Sequence, residues 1–141
     1  MTSKLTSEER NHLIRAAEDV AEKAYAEYSG FRVGAAVLGA RGTYTGVNVE
    51  NASYPLGLCA ERAALAAAIS TGDRELKGIA IACIDASGGD IQEVMPCGAC
   101  RQWLAELSPE AEVIVCASDL NQSFLVEDLL PLAFRLRKHH Q

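Results

Sequence analysis

Three cysteines occur at the predicted beginnings of two helices, and their spacing is typical of a metal site. Cys97-Gly-Ala-Cys100 places two thiols on one face of a helix start, where amide donors and the helix dipole favour thiolates. This pair alone is as typical of a structural zinc site or a redox pair as of a catalytic site. Cys59 lies at a second predicted helix start and can supply a third thiolate. Three protein ligands leave a tetrahedral zinc one open position for water, so the set indicates catalysis.

Glu61 is a candidate proton carrier beside this site. It follows Cys59 by two residues, so it cannot easily share the ligand geometry, but its carboxylate can reach the water from the side. There it can take a proton from the water and hand it to a substrate nitrogen, and zinc deaminases carry a non-ligand glutamate at this offset. The alternative interpretation is a solvated helix residue, which is the usual place of a glutamate.

Two arginines follow the cysteines closely and can balance their charge. Three thiolates give a divalent zinc an excess of negative charge, which would make its water a poor acid. Arg62 and Arg101 can donate hydrogen bonds to the thiolates, and both helix N-termini add positive potential. The alternative for either arginine is a surface ion pair.

The composition limits the kinds of protein that this chain can be. Its 141 residues predict one domain over residues 1–141, and 49% hydrophobic residues are enough for a core. A net charge of -6 with scattered basic residues disfavours nucleic-acid binding. The polar residues 1–4, and the lack of an apolar run that could span a bilayer, predict a cytoplasmic protein without membrane contact. Cys83 and Cys116 lie in apolar strand patterns and are predicted to be core residues.

The elements predicted to position these residues alternate between helices and strands. A capping box at Thr6 and Glu9 starts a first helix, whose apolar stripe predicts that it continues to Ser29-Gly30. The remaining pattern predicts helices over residues 58–70, 97–107 and 126–130, and strands over residues 31–38, 43–49, 78–84 and 113–117, with room for one more strand before the last helix. This order indicates an α/β fold, a mixed sheet with helices on its faces. The basic tail, residues 135–141, is predicted to be a frayed terminus.

Several motifs, taken in order, carry a resemblance to a known family: YSGFRVGAAVL, GVNVENASY, CAER and PCGACRQ. Over residues 25–134 the chain resembles the small, homotetrameric zinc cytidine deaminases. The resemblance implies an α/β three-layer fold, with a mixed five-stranded sheet and helices on both faces. It also implies one Zn2+ per subunit held by Cys59, Cys97 and Cys100, with Glu61 as the proton shuttle.

The resemblance further implies a nucleoside pocket. Asn48 and Glu50 would hold the ribose, although taken alone they would be interpreted as a solvated strand end. Phe31 matches an aromatic residue that lies against the pyrimidine, although an aromatic residue that opens a strand is more often core. The backbone amide of Ala60 would bind the base carbonyl, and Phe134 would enter the site of a neighbouring subunit.

The activity implied by the resemblance is hydrolytic deamination of cytidine and deoxycytidine to uridine and deoxyuridine, with release of ammonia, in pyrimidine salvage. In this reaction Glu61 takes a proton from the zinc-bound water and delivers it to N3, and the resulting hydroxide attacks C4. Three alternatives stay open: a deaminase of a modified cytosine nucleoside (an N4-substituted cytidine, or one of blasticidin S type), a zinc-stabilised structural module, and a redox protein. The expected partners are the nucleoside and other copies of the chain, in a homotetramer with its sites at subunit interfaces.

Overall fold

The fold is a sheet with helices on both faces, as seen in a computed structural model that describes residues 5–86 and 90–139. The strands are β1 (Val33–Leu38), β2 (Thr43–Val47), β3 (Gly78–Cys83), β4 (Glu112–Ala117) and β5 (Leu120–Leu125), and the helices are α1 (Ser7–Ala21), α2 (Ala60–Ser70), α3 (Gly98–Leu107) and α4 (Val126–Leu129). Within these residues the strands form a five-stranded sheet in the order β2-β1-β3-β4-β5. The predicted α/β fold with a mixed sheet is confirmed, whereas a single domain over residues 1–141 stays a prediction.

The direction of the strands determines where α3 begins. β1 pairs antiparallel with both β2 and β3, and β4 pairs antiparallel with β5. β3 and β4 are parallel, so the chain has to cross from the end of one to the start of the other, and α3 lies in this crossover. The start of α3 is therefore reached from the carboxyl end of β3.

The core occupies both faces of the sheet. On one face, Leu13 and Ala17 of α1 belong to a buried cluster with small residues of β1 and β3. On the other face, Leu65 of α2 and Leu104 of α3 pack among larger strand residues: Val37, Ile79, Ile81, Val113 and Val115. Because successive residues of a strand point to opposite faces, the continuous apolar runs of β3 and β4 fill both clusters.

The two cysteines outside the chemical motifs are core residues, as predicted. Cys83 is 5% exposed and belongs to the cluster beneath α2 and α3. Cys116 is 3% exposed and belongs to the cluster beneath α1. Neither belongs to the group of possible metal ligands among the described residues.

The first helix begins as predicted but ends earlier. Thr6 caps it with the reciprocal bonds of a capping box, and the helix stops at Ala21 rather than near residue 29. Tyr25 instead pairs with the chain beyond β2: its N–H donates to the Asn48 carbonyl at 3.0 Å, and its carbonyl accepts from the Glu50 N–H at 2.9 Å. The apolar periodicity of residues 24–28 was misleading, because this long-range backbone pairing replaces the next helical turn.

The second helix lies close against the sheet because Gly46 has no side chain. A Cβ at Gly46 would overlap the backbone nitrogen of Ala64 and lie 2.8 Å from the Ala60 carbonyl oxygen.

The predicted helices over residues 58–70 and 97–107 are both confirmed, with Cys59 and Cys97 as their N-cap residues. Gly72, just beyond α2, has a left-handed backbone with φ of 92°, which a glycine adopts easily at a helix end.

The basic tail contains no helix or strand as far as His139, in line with the predicted frayed terminus, but it is not without contacts. The Gln102 side chain donates to the Phe134 carbonyl at 3.1 Å, and Lys138 lies 3.4 Å from the Glu106 carboxylate. Residues 140 and 141 lie outside the described part of the chain. Over residues 5–86 and 90–139, no helix combines the length and the apolar character needed to cross a lipid bilayer.

Candidate functional site

The three cysteines of the motifs meet where α2 and α3 begin. Cys59 Sγ lies 3.8 Å from Cys97 Sγ, and Cys97 Sγ lies 3.6 Å from Cys100 Sγ. Cys59 and Cys97 are the N-caps of their helices, and Cys100 is in the first turn of α3. Two helix N-termini therefore direct their positive ends toward one group of sulfur atoms.

The spacing of these sulfur atoms fits a zinc ion. Zinc binds thiolate sulfur at about 2.3 Å in a tetrahedron, which separates the sulfurs by about 3.8 Å. The three Sγ atoms all lie within 4.8 Å of one another, and no fourth side chain joins them among the residues that the structure describes. The group thus matches a zinc site with three protein ligands, the type that keeps a position for a reacting molecule.

Arg62 donates to this cluster, as predicted. Its Nη2 lies 3.4 Å from Cys59 Sγ. Hydrogen bonds from the Cys100 thiol and from Arg62 lower the pKa of Cys59 to about 5, whereas the pKa of Cys100 is raised by its hydrogen bond to Cys59 and by burial. The cluster therefore carries thiolate character at neutral pH even before a metal is considered.

Arg101 does not have the contacts that were predicted for it. Its Nε donates to the Pro96 carbonyl at 2.8 Å and its Nη1 donates to the Leu129 carbonyl at 2.9 Å, rather than to a sulfur atom. Leu129 ends α4, far along the chain, and Pro96 immediately precedes Cys97. Arg101 thus connects Pro96, next to the cluster, with the end of α4.

Glu61 lies in the first turn of α2 and is only 5% exposed, which excludes the solvated alternative. Burial raises the pKa of its carboxyl group to about 7, and the negative charge of Cys59 adds to the rise. A carboxyl group with this pKa can both accept and release a proton near neutral pH. Its participation in a reaction belongs to the proposal below.

The Asn48 side chain joins two backbone groups on either side of residue 32. Its Oδ1 accepts from the Val33 N–H at 2.8 Å, and its Nδ2 donates to the Phe31 carbonyl at 2.8 Å. An amide side chain has a second donor and further acceptor capacity, so one of each is left for a ligand. Asn48 therefore holds the Phe31 segment in place, a role that the sequence did not predict.

The Glu50 carboxylate is held by the turn over residues 28–30. Oε1 accepts from the N–H groups of Tyr28 and Ser29 at 2.9 and 3.0 Å, and Oε2 accepts from the Ser29 hydroxyl. These bonds, that of the Ser29 side chain above all, lower the pKa of Glu50. The carboxylate lines a cavity of 350 Å³ whose walls are Tyr28, Ser29, Glu50, Asn51, Tyr54 and Gly57. Sequence reasoning missed Ser29, and its only signal was its place in the YSGF motif.

The remaining predicted residues are placed as follows. Phe31 is partly buried against the core beneath α2. Ala60 is buried and is the first residue of α2, so its amide is one of the donors that have no partner within the helix. Phe134 is 69% exposed on the tail and lines a different cavity, beside Ala66 and Trp103. A single chain does not bring Phe134 into the cavity lined by Glu50.

The sequence of the chain is similar to that of known deaminases. Residues 7–117 match the family described as cytidine and deoxycytidylate deaminase zinc-binding region. A cytidine deaminase of Halalkalibacterium halodurans is 45% identical over 130 residues, which are 89% of this chain and 94% of that protein. A cytidine deaminase of Mycobacterium tuberculosis is 50% identical over 97 residues, 68% of this chain and 69% of that protein.

The fold is similar as well. The crystal structure of cytidine deaminase from Burkholderia pseudomallei aligns with a TM-score of 0.81 and 43% sequence identity. The alignment covers 92% of this chain and all of that one (100%). The likeness thus extends well beyond the cysteine motifs.

Proposed function

Because the chain belongs to the cytidine and deoxycytidylate deaminase zinc-binding family, we propose that it deaminates cytidine and deoxycytidine hydrolytically, to uridine and deoxyuridine. The observation that carries this proposal is a buried carboxylate, Glu61, beside three sulfur atoms spaced to hold a zinc ion. A cytidine deaminase that is 45% identical over 89% of the chain supports the same reaction. Neither a purely structural zinc site nor a redox pair gives the buried glutamate a function.

In the reaction, Cys59, Cys97 and Cys100 hold the metal and Glu61 moves the protons. Zinc supplies, when bound, the Lewis acidity that makes a water molecule nucleophilic near neutral pH. Glu61 accepts a proton from the attacking water and donates it to N3 of the pyrimidine as the water oxygen bonds to C4. Glu61 then takes the proton of the new C4 hydroxyl and carries it to the amine at C4, and the C4–N bond breaks to release ammonia as the C4 carbonyl forms. Its pKa of about 7 suits both transfers.

The rest of the pocket orients the nucleoside. The Ala60 amide binds the base carbonyl, and Phe31 lies against the pyrimidine ring. Asn48 and Glu50 bind the sugar, and their binding energy is remote from C4 and holds that carbon near the attacking water. Asn48 contributes the donor and acceptor that its bonds to Phe31 and Val33 leave free.

The charge of Glu50 favours a nucleoside over a nucleotide as substrate. Its pKa is lowered by three hydrogen bonds, so the group is ionised at neutral pH. A phosphate on the neighbouring sugar carbon would be repelled by this carboxylate. An unmodified sugar fits the same group, which favours ordinary cytidine and deoxycytidine over a nucleoside of blasticidin S type.

We also expect a homotetramer with its sites at subunit interfaces and Phe134 in the pocket of a neighbouring subunit. Large apolar side chains that are exposed in the single chain support this assembly: Trp103 at 37%, Phe134 at 69%, Leu136 at 75% and Leu132 at 102% exposure. We place the reaction in the cytoplasm, because the thiols have to stay reduced to bind zinc.

The direct test is turnover by the purified protein. We expect equal amounts of uridine and ammonia from cytidine, about one zinc per chain, loss of activity with a chelator and recovery with added zinc. Cys97→Ser should lose zinc and activity together, whereas Cys83→Ala, a change of a core cysteine outside the cluster, should retain both. A zinc-loaded protein that releases no ammonia would instead support a structural zinc module.

A further inference from the structure

The Ser29 hydroxyl forms hydrogen bonds with two residues of the proposed nucleoside pocket. Its Oγ donates to Glu50 Oε2, and the same oxygen accepts from the Phe31 N–H at 3.0 Å. Glu50 is the proposed sugar contact and Phe31 the proposed base contact. One hydroxyl group therefore fixes the relative position of both.

The hydrogen bonds of Ser29 have a defined direction. A serine hydroxyl has one proton to donate and two lone pairs that accept. Because a backbone N–H can only donate, Ser29 accepts from Phe31, and its own proton is available for Glu50. The carboxylate is thereby kept as an acceptor, and its oxygen is held toward Ser29.

The other bonds of Glu50 leave little freedom for its ligand. Its Oε1 already accepts two backbone hydrogen bonds, from Tyr28 and Ser29. An ionised carboxylate has about four lone-pair sites, so these two bonds and the bond from the Ser29 hydroxyl leave about one site for a ligand. Glu50 lines the 350 Å³ cavity, and the site that is left can accept one donor from a molecule there.

We propose that Ser29 is a positioning residue for sugar recognition: it holds Glu50 so that the carboxylate accepts a hydrogen bond from the 2′- or 3′-hydroxyl of the sugar, and it thereby makes binding depend on that hydroxyl. The inference rests on the proposed function, in which Glu50 binds the nucleoside sugar. Ser29 itself does not touch the reacting atoms, so it acts on binding of the substrate rather than on the chemical step.

The test uses variants of the full-length protein with zinc bound. Ser29→Ala removes the bond to Glu50, and we expect KM for cytidine to rise about tenfold with kcat changed less than about threefold. Ser29→Thr keeps a hydroxyl and should remain close to the wild type. Ser7→Ala removes an exposed hydroxyl at the start of α1 and is the matched control.

The decisive comparison is between cytidine and 2′,3′-dideoxycytidine, which lacks the 2′- and 3′-hydroxyls and keeps the 5′-hydroxyl. Affinity for the dideoxy compound is measured as KM, or as its inhibition constant against cytidine where turnover is slow. If Ser29 acts through Glu50 on the 2′- or 3′-hydroxyl, Ser29→Ala should weaken the binding of cytidine about tenfold and that of dideoxycytidine less than about twofold. If Ser29 had only a general structural role, Ser29→Ala would weaken the binding of both compounds equally.

Three results would overturn the inference. If Ser29→Ala weakens the binding of both compounds equally, or leaves KM for cytidine unchanged, Ser29 is not a positioning residue. The proposed function stays intact in that case, as long as the wild type turns over cytidine. A wild-type protein that does not act on cytidine would remove the proposed function and the inference with it. Where a thermal melt shows that Ser29→Ala is unfolded, Ser29→Cys, which keeps the volume but donates weakly, is compared in the same way.

Discussion

Arg62 Nη2 donates a hydrogen bond of 3.4 Å to the Sγ of Cys59, three residues earlier in the chain. Residues three apart lie on the same face of a helix, so the start of α2 supplies both a candidate metal ligand and the cation that accompanies it. The Cys100 thiol and the Arg62 guanidinium both lower the pKa of Cys59. The deprotonated sulfur that zinc requires is thus favoured by the neighbouring side chains.

Replacing Arg62 should weaken zinc binding. Arg62→Gln removes a charged hydrogen bond to a ligand, and loss of such a partner lowers metal affinity by about 10- to 100-fold. The affinity is measured by competition with a coloured chelator of known strength. Arg15→Gln, which removes an arginine from an exposed position of α1, is the control and should bind zinc as the wild type does. Equal affinities for all three proteins would contradict a role for Arg62 at the cluster.

Replacing Glu61 should separate zinc binding from turnover. Glu61→Gln keeps the size of a buried side chain but cannot accept and release a proton as a carboxylate does. We expect zinc content and melting temperature close to the wild type, and kcat lower by about 10²- to 10⁴-fold. Glu8→Gln, at an exposed position of α1, is the control. Retained turnover in Glu61→Gln would show that another group carries the proton.

Acid should reduce the contribution of the ion pair between Asp85 and Arg32. The Asp85 carboxylate accepts from Arg32 Nε and Nη2, each at 2.9 Å, and from the Arg32 N–H at 2.8 Å. The Arg32 side-chain hydrogen bonds are the largest cause that lowers the pKa of Asp85 from 3.8 to about 2. Because the pKa is lower in the folded state, the pair stabilises the fold above about pH 4, and this contribution is lost as the pH falls toward 2.

Urea unfolding of the wild type and Asp85→Asn measures this effect. The wild type should have the higher unfolding midpoint at pH 6, and the difference should shrink steadily below pH 4. Asp19→Asn removes the same charge from an exposed position and controls for the change in net charge. A difference between wild type and Asp85→Asn that is constant from pH 6 to pH 2.5 would rule out the titration of Asp85 as its source.

Filling the space at Gly46 should disturb the site through α2. A Cβ there overlaps the Ala64 nitrogen and approaches the Ala60 carbonyl oxygen, so Gly46→Ala forces the helix away from β2. We expect a loss of about 2 kcal/mol in the free energy of unfolding and a weaker zinc site, because Cys59 precedes the displaced helix. Gly42→Ala, where a Cβ meets nothing within 4 Å, is the control. A Gly46→Ala protein as stable as Gly42→Ala would mean that α2 accommodates the methyl group without moving.

The features that sequence reasoning predicted well depend on local interactions. The capping box at Thr6, the cysteine N-caps of α2 and α3, and the bond from Arg62 to Cys59 each involve residues within a few positions of one another. The apolar run of residues 78–84 likewise predicted a strand, which is β3. Helix caps and apolar strands leave such patterns because residue types and spacing within a short segment define them.

The features that sequence reasoning predicted wrongly or missed depend on contacts between distant segments. Arg101 bonds the carbonyl of Leu129, 28 residues away, which no spacing rule indicates. The first helix ends early because Tyr25 pairs with residues 48 and 50. The bond between Ser29 and Glu50 spans 21 residues, so it became visible only when the chain was folded.

By itself, then, the sequence determined the set of three thiols and a glutamate and the helix starts that carry them, because these follow from residue type and short spacing. The tertiary structure decided how close the two helix starts lie, how deeply Glu61 is buried, and which donors surround Glu50. These properties depend on how α2, α3 and the turn over residues 28–30 pack around the sheet, and packing is a property of the whole fold rather than of any segment.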